Sequence, residues 1–148
     1  IGVVPRLIDM GVDPYLIAPT LILAIAQRLV SSIYPKDSGN PVKLEGGLQA
    51  MVSEQFKDLP DKFKENLGIS DSVYEAKPSD LSPSGKKGRV AVMEVLEMDK
   101  ELEELILKDP TEISIRKLAR SKGMLTMRED ALLKSMRGEI PFEEVNTL

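Results

Sequence analysis

The stretch Gly88–Asp109, GRVAVMEVLEMDKELEELILKD, changes its period part-way along, and that change decides how the second half of the chain folds. Val90, Val92, Glu94 and Leu96 alternate with Ala91, Met93, Val95 and Glu97, which is the period of a strand. Both sets are largely apolar, so the strand is expected to be mostly buried. Beyond Asp99 the spacing lengthens, and Leu102, Leu105 and Ile106 share one helical face behind Asp99 as N-cap. The same grammar continues outward. Thr111 caps EISIRKLARSKG, with Ile115, Leu118 and Ala119 as the apolar stripe and Gly123 as the stop. Thr126 and Glu129 form a capping box over MREDALLKSMRG, with Leu132, Leu133 and Met136 inward. Pro141 opens a last short helix, PFEEVNTL.

Working back from Gly88, residues 34–87 are the least regular, broken by repeated Pro and Gly. Within them LQAMVSEQFKDL has helical spacing, PDKFKENLG reads as a short helix capped by Asp61, and DSVYEAKP reads as an edge strand stopped by Pro78. Residues 1–33 are apolar and nearly uncharged. VPRLIDMG predicts a short helix ended by Gly11, and Asp13–Pro14 restarts a second one. The run Tyr15–Ala26 is too short for a bilayer span of roughly 20 residues and contains Pro19, so it is expected to be a buried core helix continuing through Gln27 and Arg28. A helix apolar on every face needs partner structure around it. The opening at Ile1, without a signal pattern, gives the further expectation of a piece of a longer protein.

The 148 residues carry no Cys and no His, which excludes disulfides, thiolate or imidazole zinc sites, Cys nucleophiles and imidazole bases. A net charge of -4 argues against a general nucleic-acid binder. Leu81–Asp99 superficially suggests a phosphate loop feeding a strand. However, Gly85 is followed by Lys86 and Lys87, with no hydroxyl or upstream Gly at the required spacing.

Two stretches carry a family resemblance. VPRLIDMGVDPYLIAPTLILAIAQRLV resembles the segment of type II secretion and type IV pilus assembly ATPases in which an Arg-Leu-x-x-Met-Gly helix leads through a Pro-aromatic helix to an Ala-Gln-Arg-Leu helix. Residues 88–145 resemble the same family's C-terminal region, a Gly-Arg-x-Gly-Ile-x-Glu strand followed by helices, with Ala91 in place of the second Gly. The resemblance implies a fold that is mainly α with a small β component: the C-terminal part of an α/β RecA-like motor ATPase plus a helical subdomain. It divides the chain into the end of the motor core (1–33), an insert (34–87), and a strand with the helical subdomain (88–148). It implies a cytoplasmic motor at the inner membrane, assembled as a hexamer, acting on a membrane platform protein, with ATP and Mg2+ bound elsewhere in the parent protein. The phosphate loop, acidic box and His boxes of that chemistry are not among these residues, so this chain alone is expected to bind no cofactor, and its acidic balance gives the expectation of no nucleic acid partner.

Many members of the family hold a structural zinc between two Cys-x-x-Cys pairs. The resemblance places Tyr34 and Asp37, then Ser82 and Gly85, at those four positions, so no zinc is expected. Gln27 and Arg28 are the polar exceptions on an apolar run. Arg28 is expected either to pair with a carboxylate or to face nucleotide or a neighbouring subunit. Arg116–Lys122 is the most basic cluster, and with Gly123 in the turn its surroundings have the cadence of a helix-turn-helix, a DNA-binding alternative. Asp99, Glu101, Glu103 and Glu104 read as complements to a helix dipole rather than a cation site. A stand-alone helical interaction module is the other alternative.

Overall fold

The computed structural model describes all residues, 1–148. In chain order the elements are α1 (Val3–Asp9), α2 (Pro14–Thr20), β1 (Leu23–Ile33), β2 (Asn40–Lys43), α3 (Gly46–Gln55), α4 (Asp61–Lys64), β3 (Ser72–Glu75), β4 (Lys86–Glu97), α5 (Lys100–Lys108), α6 (Glu112–Ser121), α7 (Met127–Met136) and α8 (Phe142–Val145). The protein is therefore mainly helical with a small β component, as the sequence implied. β1 pairs with β4, and β2 with β3. At the ends of the first pair Met98 N donates to Ile22 O at 3.0 Å and Tyr34 N donates to Gly85 O at 2.8 Å, which fixes an antiparallel direction. β2 and β3 are antiparallel too, with Pro41 opposite Tyr74 and Val42 opposite Val73.

The caps follow the sequence closely because they are local chemistry. Asp13 accepts from Tyr15 N at 2.9 Å, Asp99 from Leu102 N at 3.0 Å and Thr111 from Ser114 N at 3.4 Å. The Thr126–Glu129 capping box closes from both sides, at 3.3 and 2.7 Å. At α4 the expectation shifts by one: Pro60 holds the N-cap position and Asp61 lies in the first turn.

By packing, the chain divides into two compact units. The first comprises residues 1–26 and 95–124, the second 27–94 and 125–148. The first unit has its own core of Val4, Ile17, Ala18, Leu96, Leu102, Ile106, Ile115 and Ala119. The second is built around Val30, Leu44, Val52, Phe56, Leu59, Val73, Val92 and the inward face of α7 and its sequel, Ala131 to Val145.

Two expectations need correction. The apolar run expected as a buried helix through Gln27 and Arg28 is helical only to Thr20; from Leu23 it is a strand, and most of it is exposed. Pro19 removes a backbone donor from α2 just before its end. Beyond it, pairing with β4 supplies the hydrogen bonds that a continued helix would have made internally, so a tertiary partner overrides the helix preference of Leu and Ala. β4, expected to be mostly buried, buries only one face. Val92 and Leu96 are inside, whereas Met93, Val95 and Glu97 face solvent.

Candidate functional site: an open strand and two paired turns

β1 is as apolar as a core element and is not packed like one. Ile22 is 80% exposed, and Leu23, Ile25 and Leu29 are about half exposed (45%, 55% and 55%). Gln27 and Arg28 sit on this strand, both exposed. Arg28 Nη1 donates to the carbonyl of Thr147 at 2.8 Å rather than pairing with a carboxylate.

β1 and β4 form a two-stranded sheet, so each strand has one flank without a strand neighbour. On β4 that flank is met by side chains of α7. Met93 N donates to Asp130 Oδ2 at 2.8 Å, and Lys134 Nζ donates to Ala91 O at 2.8 Å. Lys134 and Asp130 are bonded to each other at 2.5 Å, one helical turn apart and both largely buried. Residues two apart in a strand turn their backbone groups to the same flank. The carboxylate and ammonium therefore stand in for the donor and acceptor of an adjoining strand and block this part of the edge. Sequence reasoning did not pair Asp130 with Lys134. Their i,i+4 spacing, acid before base, is a signal for a pair, but not for what the pair touches.

The other candidate is where the resemblance puts a metal. The structure brings the two turns together: Tyr34 N bonds Gly85 O, and Lys87 Nζ lies 4.8 Å from the centre of the Tyr34 ring. A cavity of about 430 Å³ opens beside them, bordered by Tyr34, Asp37, Lys87, Arg137 and Glu139. The residues do not fit zinc. Of the four positions only Asp37 carries a carboxylate, and no group of three or more Asp, Glu, His or Cys gathers anywhere in the chain.

The basic cluster of α6 is mostly committed to internal partners. Arg116 pairs with Glu112 at 2.6 Å, and Arg120, 4% exposed, donates to Met124 O at 2.6 Å. Lys122 binds both Asp99 and Glu101. The Lys122 hydrogen bond, followed by the one from Leu102 N, holds the Asp99 carboxyl below its usual range. Burial works against the Lys122 charge, but its two carboxylate partners outweigh it and raise the ammonium's pKa. In α7 the first-turn acids point inward, Glu129 into the capping box and Asp130 onto β4. Those are the positions from which a recognition helix would read bases.

Comparison with known proteins bears on the open strand and the paired turns alike. The family described as Type II/IV secretion system protein matches residues 1–147. The chain belongs to this family. Among its relatives, type II secretion system protein E of Xanthomonas campestris pv. campestris is 33% identical over 144 residues, which are 97% of this chain and 24% of that protein. Type IV pilus assembly ATPase PilB of Thermus thermophilus is 32% identical over 149 residues, 96% of this chain and 15% of PilB. Type II secretion system ATPase E of Vibrio cholerae serotype O1 is 33% identical over 145 residues, covering 98% and 26%. The chain thus spans at most about a quarter of these relatives. The match runs through residues 34–87 as well, so that segment belongs to the family alongside the two ends that carried the resemblance. No helix is long and apolar enough to cross a membrane.

Proposed function

We propose that these residues are the C-terminal part of an ATP-driven motor of type II secretion or type IV pilus assembly, and that they carry subunit contacts and force transmission rather than the hydrolysis site. The observation behind this reading is β1: an apolar strand whose flank away from β4 has no strand neighbour, with Leu23, Ile25 and Leu29 uncovered. Exposed apolar surface of this extent marks a place where other structure belongs. The relatives are at least about four times as long as this chain, and the remainder of such a motor, a RecA-like core, is the occupant that fits. β4 is blocked by Asp130 and Lys134, so the sheet has β1 as its free side for growth.

On this reading ATP and Mg2+ are bound by the remainder of the motor. Gln27 and Arg28 lie at the edge of this piece, facing nucleotide or the neighbouring subunit. The assembly is a homohexamer at the cytoplasmic face of the inner membrane, its motion passed to a platform protein, with no nucleic acid partner. Reading the coding frame upstream of Ile1 tests the proposal. A Gly-x-x-x-x-Gly-Lys-Ser/Thr motif followed by an acidic box is the expected result. A frame that starts near Ile1 would refute it and leave a helical interaction module in its place.

A further inference from the structure

We infer that the paired turns at Tyr34–Asp37 and Ser82–Gly85 form a clasp that closes without metal, and that its backbone no longer admits a zinc site even with cysteines restored. The inference rests on family membership and on the placing of the four positions by the flanking matches. It does not depend on the proposed motor role.

Gly85 has a φ of +68°, and a Cβ built there would lie 2.6 Å from the carbonyl carbon and oxygen of Lys77 and 2.7 Å from its nitrogen. These are backbone atoms, which cannot swing aside as a side-chain tip does. Any side chain at position 85, a thiolate included, requires the Lys77 segment to move, in addition to the strain of a left-handed backbone. Ser82 is committed as well. It is 5% exposed, its hydroxyl donates to Lys86 O at 3.0 Å, and its backbone exchanges hydrogen bonds with Ser79 at 2.9 and 3.1 Å. Its side chain is therefore held by hydrogen bonds within its own loop.

What closes the clasp instead is visible. Tyr34 N bonds Gly85 O directly, and the Lys87 ammonium lies over the Tyr34 ring, an attraction between a cation and the negative face of an aromatic ring. Behind Tyr34, Ile33 is buried and its N–H donates to Glu139 O at 3.1 Å. A structural zinc couples metal binding to folding, so that chelators unfold the domain. A clasp of this kind has no such coupling.

The first test is the zinc content of protein expressed in zinc-supplemented medium, with thermal unfolding measured with and without EDTA. No zinc above background and one unfolding temperature are expected; one zinc per chain, or a lower Tm with EDTA, would overturn the inference. The second is the fourfold variant Tyr34→Cys, Asp37→Cys, Ser82→Cys, Gly85→Cys in excess zinc. It is expected to melt below the parent and to take up no stoichiometric metal, whereas a zinc-loaded variant more stable than the parent would refute the claim. Since four changes together can prevent folding altogether, Lys87→Ala, Tyr34→Leu and their double variant carry the clasp itself. The double variant is expected to melt close to the worse single one, and Lys87→Arg close to the parent. Fully additive losses would show that the ring and the ammonium do not act together.

Discussion

Replacing Asp130 by Ala removes two partners at once. Met93 N loses the carboxylate that it reaches at 2.8 Å, and Lys134 loses its counter-charge while still donating to Ala91 O. The side chains of Lys134 and Asp130 are only 16% and 20% exposed, so water replaces these contacts poorly. A hydrogen bond to a charged group contributes about 1.5–3 kcal/mol, and a helical i,i+4 pair adds roughly 0.2–0.5 kcal/mol. Asp130→Ala is therefore expected to cost about 2–3 kcal/mol, which for a chain of this length lowers Tm by roughly 5–10 °C. Asp130→Asn keeps an acceptor for Met93 N and should cost about half as much. Urea denaturation followed by circular dichroism measures this as a shift of midpoint at constant slope. In the double variant with Lys134→Met the losses should fall short of their sum by at least about 0.5 kcal/mol. An Asp130→Ala protein within about 0.5 kcal/mol of the parent, the range of an ordinary surface change, would refute the idea that this pair substitutes for a strand.

Asp99 gives a pH prediction. Its folded-state pKa is depressed from 3.8, first by the Lys122 hydrogen bond and then by Leu102 N. Its contribution is therefore complete above about pH 4 and is lost as the pH falls through the lower folded value. Tm measured from pH 6 down to pH 2 should fall less steeply in Asp99→Asn than in the parent, and parallel curves would remove Asp99 as a cause. Ile25→Lys, on the exposed strand, should leave this chain's stability in urea within about 0.5 kcal/mol, because a side chain 55% exposed has little contact to lose. On the reading proposed above, the same change in the longer protein should lower its Tm by burying a charge against the structure seated on β1, and an unchanged Tm would count against β1 as a buried joint. Leu132→Ala and Ile106→Ala, one in each core, should each cost about 2–5 kcal/mol in urea. Values under about 1 kcal/mol would mean the surrounding side chains close over the gap.

The parts legible in the sequence were those whose cause is local. Asp13, Asp99, Thr111 and Thr126 each bond a backbone N–H two or three residues away, so the residues that make the cap are all in view at once. β1 was not legible, because its partner β4 lies far along the chain and nothing between Leu21 and Leu29 announces it. Leu and Ala favour a helix, and the contact with β4 decides otherwise. β2 escaped notice for a related reason: four residues including Pro41 carry almost no strand signal until Val73 and Tyr74 are set opposite them. At the candidate site, the loss of thiolates could be read directly from Tyr34, Asp37, Ser82 and Gly85. The close approach of Lys77 to Gly85 could not, being a contact between backbones. Of the two expectations for Arg28, a carboxylate partner or a face toward nucleotide or a neighbouring subunit, the first gives way to the carbonyl of Thr147 at the far end of the sequence.

The path of the chain through its two units has a consequence for synthesis. The first unit is made from residues 1–26 and 95–124, the second from 27–94 and 125–148. A ribosome therefore releases the opening segment of the first unit, then most of the second, before the first can be finished. Val4, Ile17 and Ala18 wait for Ile106, Ile115 and Ala119, and Val73 waits for Leu132 and Val145. Contacts so distant along the chain slow folding and keep apolar surface uncovered meanwhile. Neither unit can be excised as a continuous fragment, and a nascent chain stopped before Met124 has completed neither.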